Sequence, residues 1–134
     1  MGLDIGEKRI GVALSDPGGI LASPFTIIER VDPEQDAEKI ARIASEYEVG
    51  QIIAGLPLSM AGTIGDQARK VQEFVEGLSR RVGIPVEYRD ERLSSVSAKR
   101  LMPRRSGRRG REKPRYDAAA AAVILQSYLE ERRR

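Results

Sequence analysis

No cysteine and no histidine occur in the 134 residues, and tryptophan is also missing. Without cysteine there is no disulfide framework and no thiolate zinc site, which fits a reducing cytosol. Without histidine there is no Ser-His-Asp or Cys-His catalysis, no imidazole metal site and no histidine general base. Any chemistry falls to carboxylates, lysines, hydroxyls or a cation held by oxygen. Aromatic residues make up 4% of the chain, so the core rests on Ile, Leu, Val and Ala. No run of about 18 apolar residues offers a membrane span. The N-terminus lacks the basic-then-apolar pattern of a signal peptide. The expectation is a soluble, cytoplasmic protein with no membrane contact, and a single domain over residues 1–134.

Hydrophobic residues make up 40% and charged residues 32%. The net charge of +3 hides an uneven distribution. Residues 1–98 carry 11 Lys/Arg and 16 Asp/Glu, whereas residues 99–134 carry 12 and 4. An acidic body with a basic C-terminal third suits a polyanionic partner, although a solvated basic loop and tail would give the same count.

Residues 3–6 read as the end of a strand. Residues 9–15 read as a second, with Ile10, Val12 and Leu14 alternating, and residues 21–29 as a third. The short connections predict an antiparallel meander. Asp32-Pro33 opens a helix with Asp32 as cap and Gln35 at the capping-box position. Ala37, Ile40, Ala41, Ile43, Ala44 and Tyr47 form its apolar face through about Glu48, and Gly50 ends it. Residues 51–56 are a short apolar run, the pattern of a strand buried on both faces, and residues 58–65 form a loop. A helix over residues 66–82 buries Ala68, Val71, Val75, Leu78 and Val82 and stops at Gly83 and Pro85. A strand over 86–90 follows, then a short helix over 94–102 capped by Ser94. Residues 103–115 read as a loop, and a final helix runs from about 115 to 131. The pattern predicts an α/β fold: a mixed five-stranded sheet, three antiparallel strands then two parallel, with helices on both faces.

Three acids stand where such a sheet converges. Asp4 lies in the first strand between Leu3 and Ile5, where a charge is costly unless it is paired or binds a metal. Glu91 follows the last strand. Asp117 shares a helical face with Ala121, Ile124, Leu125 and Tyr128. Other roles are open to two of them: Asp117 near a helix N-terminus favours the dipole, and Glu91 has Arg89 and Arg92 as candidate partners. Their separation in sequence does not by itself define a metal site.

The run Asp4-Ile5-Gly6-Glu7-Lys8-Arg9-Ile10-Gly11-Val12-Ala13, with Ser15-Asp16 after it, resembles the opening motif of the YqgF (RuvX) family. Three further segments agree in order: Gly55-Leu56-Pro57-Leu58 with Gly62-Thr63, Asp90-Glu91-Arg92-Leu93-Ser94, and Asp117 with its Ala-rich helix and Ile124-Leu125-Gln126. The resemblance covers nearly the whole chain and departs in three places. Only three residues precede Asp4, Ala61 stands where the family often has Asp, and Tyr116 stands where a small aliphatic residue is more usual.

The resemblance implies a ribonuclease H-like fold and a metal-dependent nuclease. Asp4, Glu91 and Asp117 would be its catalytic and metal-holding residues, and two Mg²⁺ or Mn²⁺ ions its cofactors, with Asp4 between them. It implies processing of the 5′ end of pre-16S ribosomal RNA in ribosome biogenesis. The alternatives are resolution of four-way DNA junctions, or a non-catalytic nucleic-acid-binding assembly factor. The expected partners are structured RNA ahead of DNA and ribosomal precursor particles, acting on a monomer or homodimer. A kinase- or actin-like ATPase also opens on Asp-Ile-Gly, but it needs two such domains.

Candidate nucleic-acid contacts are Lys8, Arg9 and Arg92 beside the acids, and Arg104, Arg105, Arg108, Arg109, Arg111, Lys113 and Arg115. Those last seven cations fall within twelve residues and suit salt-dependent phosphate binding. Few aromatics accompany them, which disfavours base stacking. Gly6, Gly11 and Gly55 suit either a close phosphate approach or plain packing. Thr63 is a candidate cap for the second helix.

Overall fold

The computed structural model describes residues 1–59, 61–91 and 109–132, with side chains over the same ranges except 109–117. Five strands form one sheet: β1 (Gly2–Ile5), β2 (Arg9–Ser15), β3 (Ala22–Glu29), β4 (Ile52–Leu56) and β5 (Val86–Asp90). Helix α1 spans Pro33–Glu46, α2 spans Asp66–Val82 and α3 spans Arg109–Arg132. The strand order is β3-β2-β1-β4-β5. β1, β2 and β3 run antiparallel, and β4 and β5 run parallel to β1. Although β1 is only four residues long, it sits at the centre and is hydrogen-bonded on both sides.

The period-2 alternation of each strand divides its residues between two layers. Leu3, Ile5, Ile10, Val12, Ile52, Ala54 and Leu56 face one side and pack with Ile40 of α1 and Val71, Val75 and Leu78 of α2. Ala13 and Ile53 face the other side and pack under Ala121, Ala122, Ile124, Leu125 and Leu129 of α3. All five residues of β4 are buried, as its continuous apolar run requires.

Helix α1 starts where its cap chemistry dictates. The Asp32 carboxylate accepts the Gln35 N–H at 2.9 Å, and the Gln35 side-chain amide donates back to that carboxylate at 2.7 Å. Asp36, one position further on, is fully buried. It accepts the Val31 N–H at 3.0 Å and pairs with Arg30 Nε at 3.3 Å. Arg30 in turn donates to the Gly6 carbonyl at 2.7 Å and lies over the Phe74 ring at 5.0 Å. The turn after β1 is thereby tied to both helices of that layer. Gly83, with φ +67°, ends α2 in the left-handed conformation that glycine adopts without cost.

Three expectations are corrected. Tyr47 does not join the inner face of α1: it is the C-cap and half-exposed, and it packs edge-on against Phe25 at 4.9 Å. Thr63 does not cap α2. The N-cap is Gly65, with no side-chain bond, and the Thr63 hydroxyl meets Ser59 at 2.7 Å. The final helix begins at Arg109, about two turns before residue 115. Gly110 and Pro114 in that stretch are poor helix formers, so local propensity does not explain the earlier start. The expected helix over 94–102 and residues 103–108 lie outside the described residues.

Candidate active site

Asp4 pairs with Gly11 in the register of β1 and β2. On its other side Leu3 stands opposite Ala54, so one step along Asp4 comes level with Gly55. The acid is half-buried on the α3 face of the sheet, with a glycine on each flanking strand. Neither neighbour can crowd its carboxylate.

Glu91 reaches this place from the next strand. Gly55 stands opposite Arg89 in β5, and Glu91 follows the strand's last residue. A Cβ added at Gly55 would stand 2.9 Å from both Cγ and Oε2 of Glu91 and 2.6 Å from Cδ1 of Ile124. The missing side chain is therefore the space into which the Glu91 carboxylate folds, and here the packing role of a glycine serves the site directly. Burial pushes the Glu91 carboxyl up to about 7, with the Asp4 charge as second cause and Asp90 as third. Two acids thus converge in a poorly hydrated place where each raises the cost of the other's charge.

Arg89 does not neutralise Glu91. Its guanidinium turns to α3, donating to the Ser127 hydroxyl at 3.0 and 2.7 Å and to Glu131 at 2.9 Å. Arg92 lies outside the described residues.

Helix α3 runs antiparallel to β1 above this face. A Cβ at Gly2 would meet the Ala121 carbonyl at 2.7 Å and the Leu125 Cβ at 2.8 Å, so helix and strand touch at backbone distance. Further along the helix, the Tyr128 hydroxyl donates to Gln51, just before β4, at 3.1 Å. Asp117 stands four residues, about 6 Å of helix, before Ala121. The Asp117 side chain lies outside the described residues, as do those of Arg109, Arg111, Lys113 and Arg115. Arg104, Arg105 and Arg108 lie outside them altogether. Among the described residues, no three Asp, Glu, His or Cys side chains gather into one metal-binding group. The described part of the site is the Asp4–Glu91 pair.

Of the two N-terminal cations, Lys8 is exposed. Arg9 shares the face of Gly11 and pairs with Glu29 at 3.3 Å. Sequence reasoning reads Arg89 only as a partner for Glu91 and Gln126 only as part of a motif; it misses that they anchor α3, together with Ser127. No local pattern marks them, because each partner lies 38 to 106 residues away. The donors at hand are carboxylate oxygens only, a set that suits hard cations such as Mg²⁺ or Mn²⁺ and disfavours softer metals. No helix among the described residues is long and apolar enough to cross a membrane.

The model of the family RuvX, described as Holliday junction resolvase, matches residues 1–131. A protein of Desulforamulus reducens named "Putative pre-16S rRNA nuclease" is 45% identical over 130 residues, covering 97% of this chain and 95% of that protein. A protein of Thermoanaerobacter pseudethanolicus with the same name is 47% identical over 131 residues, covering 97% and 94%. Among solved structures, T. thermophilus RuvC in complex with a Holliday junction substrate aligns with a TM-score of 0.63 at 12% identity, covering 98% of this chain and 93% of that one. The fowlpox virus resolvase, solved with Holliday junction DNA, aligns with a TM-score of 0.55 at 15% identity, covering 99% and 97%. At such identities the structures show the shared fold, the ribonuclease H-like fold of RuvC. By its family and its relatives, this chain belongs to the RuvX family, a family of nucleases that hydrolyse phosphodiester bonds.

Proposed function

We propose that the chain is a single-domain, cytoplasmic, metal-dependent nuclease that processes the 5′ end of pre-16S ribosomal RNA, with Asp4, Glu91 and Asp117 as its catalytic acids. One observation carries the site: the Glu91 carboxylate folds into the space left by Gly55, beside Asp4, on the face that α3 covers. Asp117, one turn before Ala121 on α3, would complete the set. The substrate follows from the names of the relatives, 45% and 47% identical over nearly their full length.

The residues fit Mg²⁺ or Mn²⁺ by donor type, and the three carboxylates would hold two ions. When bound, such ions polarise the phosphoryl group and make water a stronger nucleophile. The protein's part is positioning. Asp4 offers its carboxylate from the rigid centre of the sheet. Glu91 would hold the ions as a carboxylate, its charge offset by theirs. Gly55 leaves the space that the Glu91 carboxylate fills, and Gly11, beside Asp4, lets a phosphate approach the backbone. Lys8, Arg9 and Arg92 meet the flanking phosphates. Arg104, Arg105, Arg108, Arg109, Arg111, Lys113 and Arg115 draw in the polyanion without reading its bases.

A second reading, cleavage of four-way DNA junctions, is favoured by the family's description and by the RuvC fold. A phosphodiester site serves both, and a resolvase must act as a dimer to cut two symmetric strands. Purified protein with Mg²⁺ or Mn²⁺, tested on a pre-16S leader RNA and on a four-way DNA junction, separates them. Ion-dependent cleavage of the RNA, abolished by chelator and by Asp4→Asn, is the expected result. Cleavage of the junction alone assigns the second reading, and cleavage of neither removes the catalytic role.

A further inference from the structure

The face that α3 lays on the sheet combines Ile124, Leu125 and Leu129 with a run of alanines nearer Asp117. Ala118, Ala121 and Ala122 are buried against a surface that includes Gly2 and Ala13. That alanine stretch lets helix and strand approach closely but offers shallow ridges and grooves, so packing at the Asp117 end defines the axial register of the helix weakly. A slip of one residue moves every helix position by about 1.5 Å and turns it by about 100°.

Two polar clamps resist that slip, one at each edge of the sheet. On the β3 side, Gln126 accepts the Ala22 N–H at 2.8 Å and donates to the Ile20 carbonyl at 3.0 Å. The turn it grips is itself held by Asp16, whose carboxylate accepts the Ile20 and Leu21 N–H groups at 2.7 and 3.0 Å. On the β5 side, Arg89 makes two bonds to Ser127 and one to Glu131. The Arg89 side chain is only 12% exposed, so this clamp is screened little by solvent. β3 and β5 are the two edge strands, and Arg89, in β5, stands two residues before Glu91. All the clamp residues of α3 lie in its C-terminal half, with Ser127 about 15 Å from residue 117 along the axis.

We propose that Arg89 and Gln126 are positioning residues that hold α3 in the register bringing Asp117 over Asp4 and Glu91. The inference rests on the proposed three-acid site. It adds that the site's third acid is set from outside the site, by bonds that touch neither substrate nor ion.

The chain has no cysteine, so paired substitutions report distance cleanly. Asp4→Cys with Asp117→Cys is treated with a short bifunctional thiol reagent, and bridging is timed in the otherwise unchanged chain and with Arg89→Met plus Gln126→Leu added. Rapid bridging in the first and at least tenfold slower bridging in the second is the expected result. Equal rates overturn the clamp and leave the three-acid site standing. No bridging in the first overturns the three-acid site and the inference with it. Should the double clamp variant fail to fold, Ser127→Ala removes two of the three Arg89 bonds with little loss of bulk and gives the same comparison. A second readout separates positioning from general loosening. Arg89→Met should raise the Kd for Mn²⁺, read by titration calorimetry, at least tenfold with Asp117 present and leave it unchanged in an Asp117→Asn chain, whereas equal effects in both chains overturn the proposal.

Discussion

Replacing Glu91 by Gln removes a charge that the fold carries at a cost. Burial first, then the charges of Asp4 and Asp90, move this carboxyl from 4.5 to about 7. A carboxyl raised in the folded state binds its proton more tightly there than in the unfolded chain. As pH climbs past about 4.5 the unfolded chain releases the proton and stability falls. The fall ends near pH 7, where the folded state releases it too. In full this amounts to about 3 kcal/mol, which solvent screening at a partly exposed site reduces to about 1–2 kcal/mol. Gln has nearly the same shape and no charge. Without divalent ions, Glu91→Gln should therefore exceed the parent by about 1–2 kcal/mol at pH 8 and match it near pH 4.5. Urea unfolding followed by circular dichroism, in chelator at the two pH values, measures the difference. Saturating Mn²⁺ at pH 8 should reverse the order, because an ion at 100 times its Kd adds about 2.7 kcal/mol to a chain that binds it. A Gln variant no more stable than the parent at pH 8 in chelator would refute the crowding of charge at this place.

The remaining expectations follow from individual side chains. Arg30→Met should cost about 3–5 kcal/mol in urea unfolding, since it leaves Asp36 buried without its cation. An unaltered unfolding midpoint would remove Arg30 from the fold's support. Gly55→Ala should cost about 1–3 kcal/mol through its collision with Ile124 and Glu91 and should also abolish cleavage. Adding Ile124→Val should restore part of the stability but not the cleavage, because the Glu91 collision remains. Replacing Arg104 and Arg105 by Ala should weaken binding evenly across sequences and lower the salt slope by about 1 for each phosphate left without its arginine, read by fluorescence anisotropy at several salt concentrations.

Much of the fold was legible because its signals are local. Asp32-Pro33 and Gln35 mark the start of α1, Gly83 the end of α2, and the alternation of Ile10, Val12 and Leu14 the face of β2. The opening motif and the acids at 91 and 117 pointed to the site, and the fold brings Glu91 beside Asp4. What escaped is long-range or offset in phase. Asp36, an acid in the first turn of α1 that no local pattern singles out, is drawn into the core by Arg30 and the Val31 N–H. Tyr47 falls one residue beyond the helix, where the chain has left helical phase, and so turns out toward Phe25. Arg89 reads as a partner for the neighbouring Glu91, but its guanidinium is taken by residues on α3 that no spacing rule connects to β5.

Diffraction from crystals grown with Mn²⁺ and recorded at the manganese absorption edge tests the central claim most directly. Anomalous density lodged among the carboxylates of Asp4, Glu91 and Asp117, and absent from Asp4→Asn crystals, is the predicted outcome. Manganese bound elsewhere on the chain while those three carboxylates stay empty would contradict it.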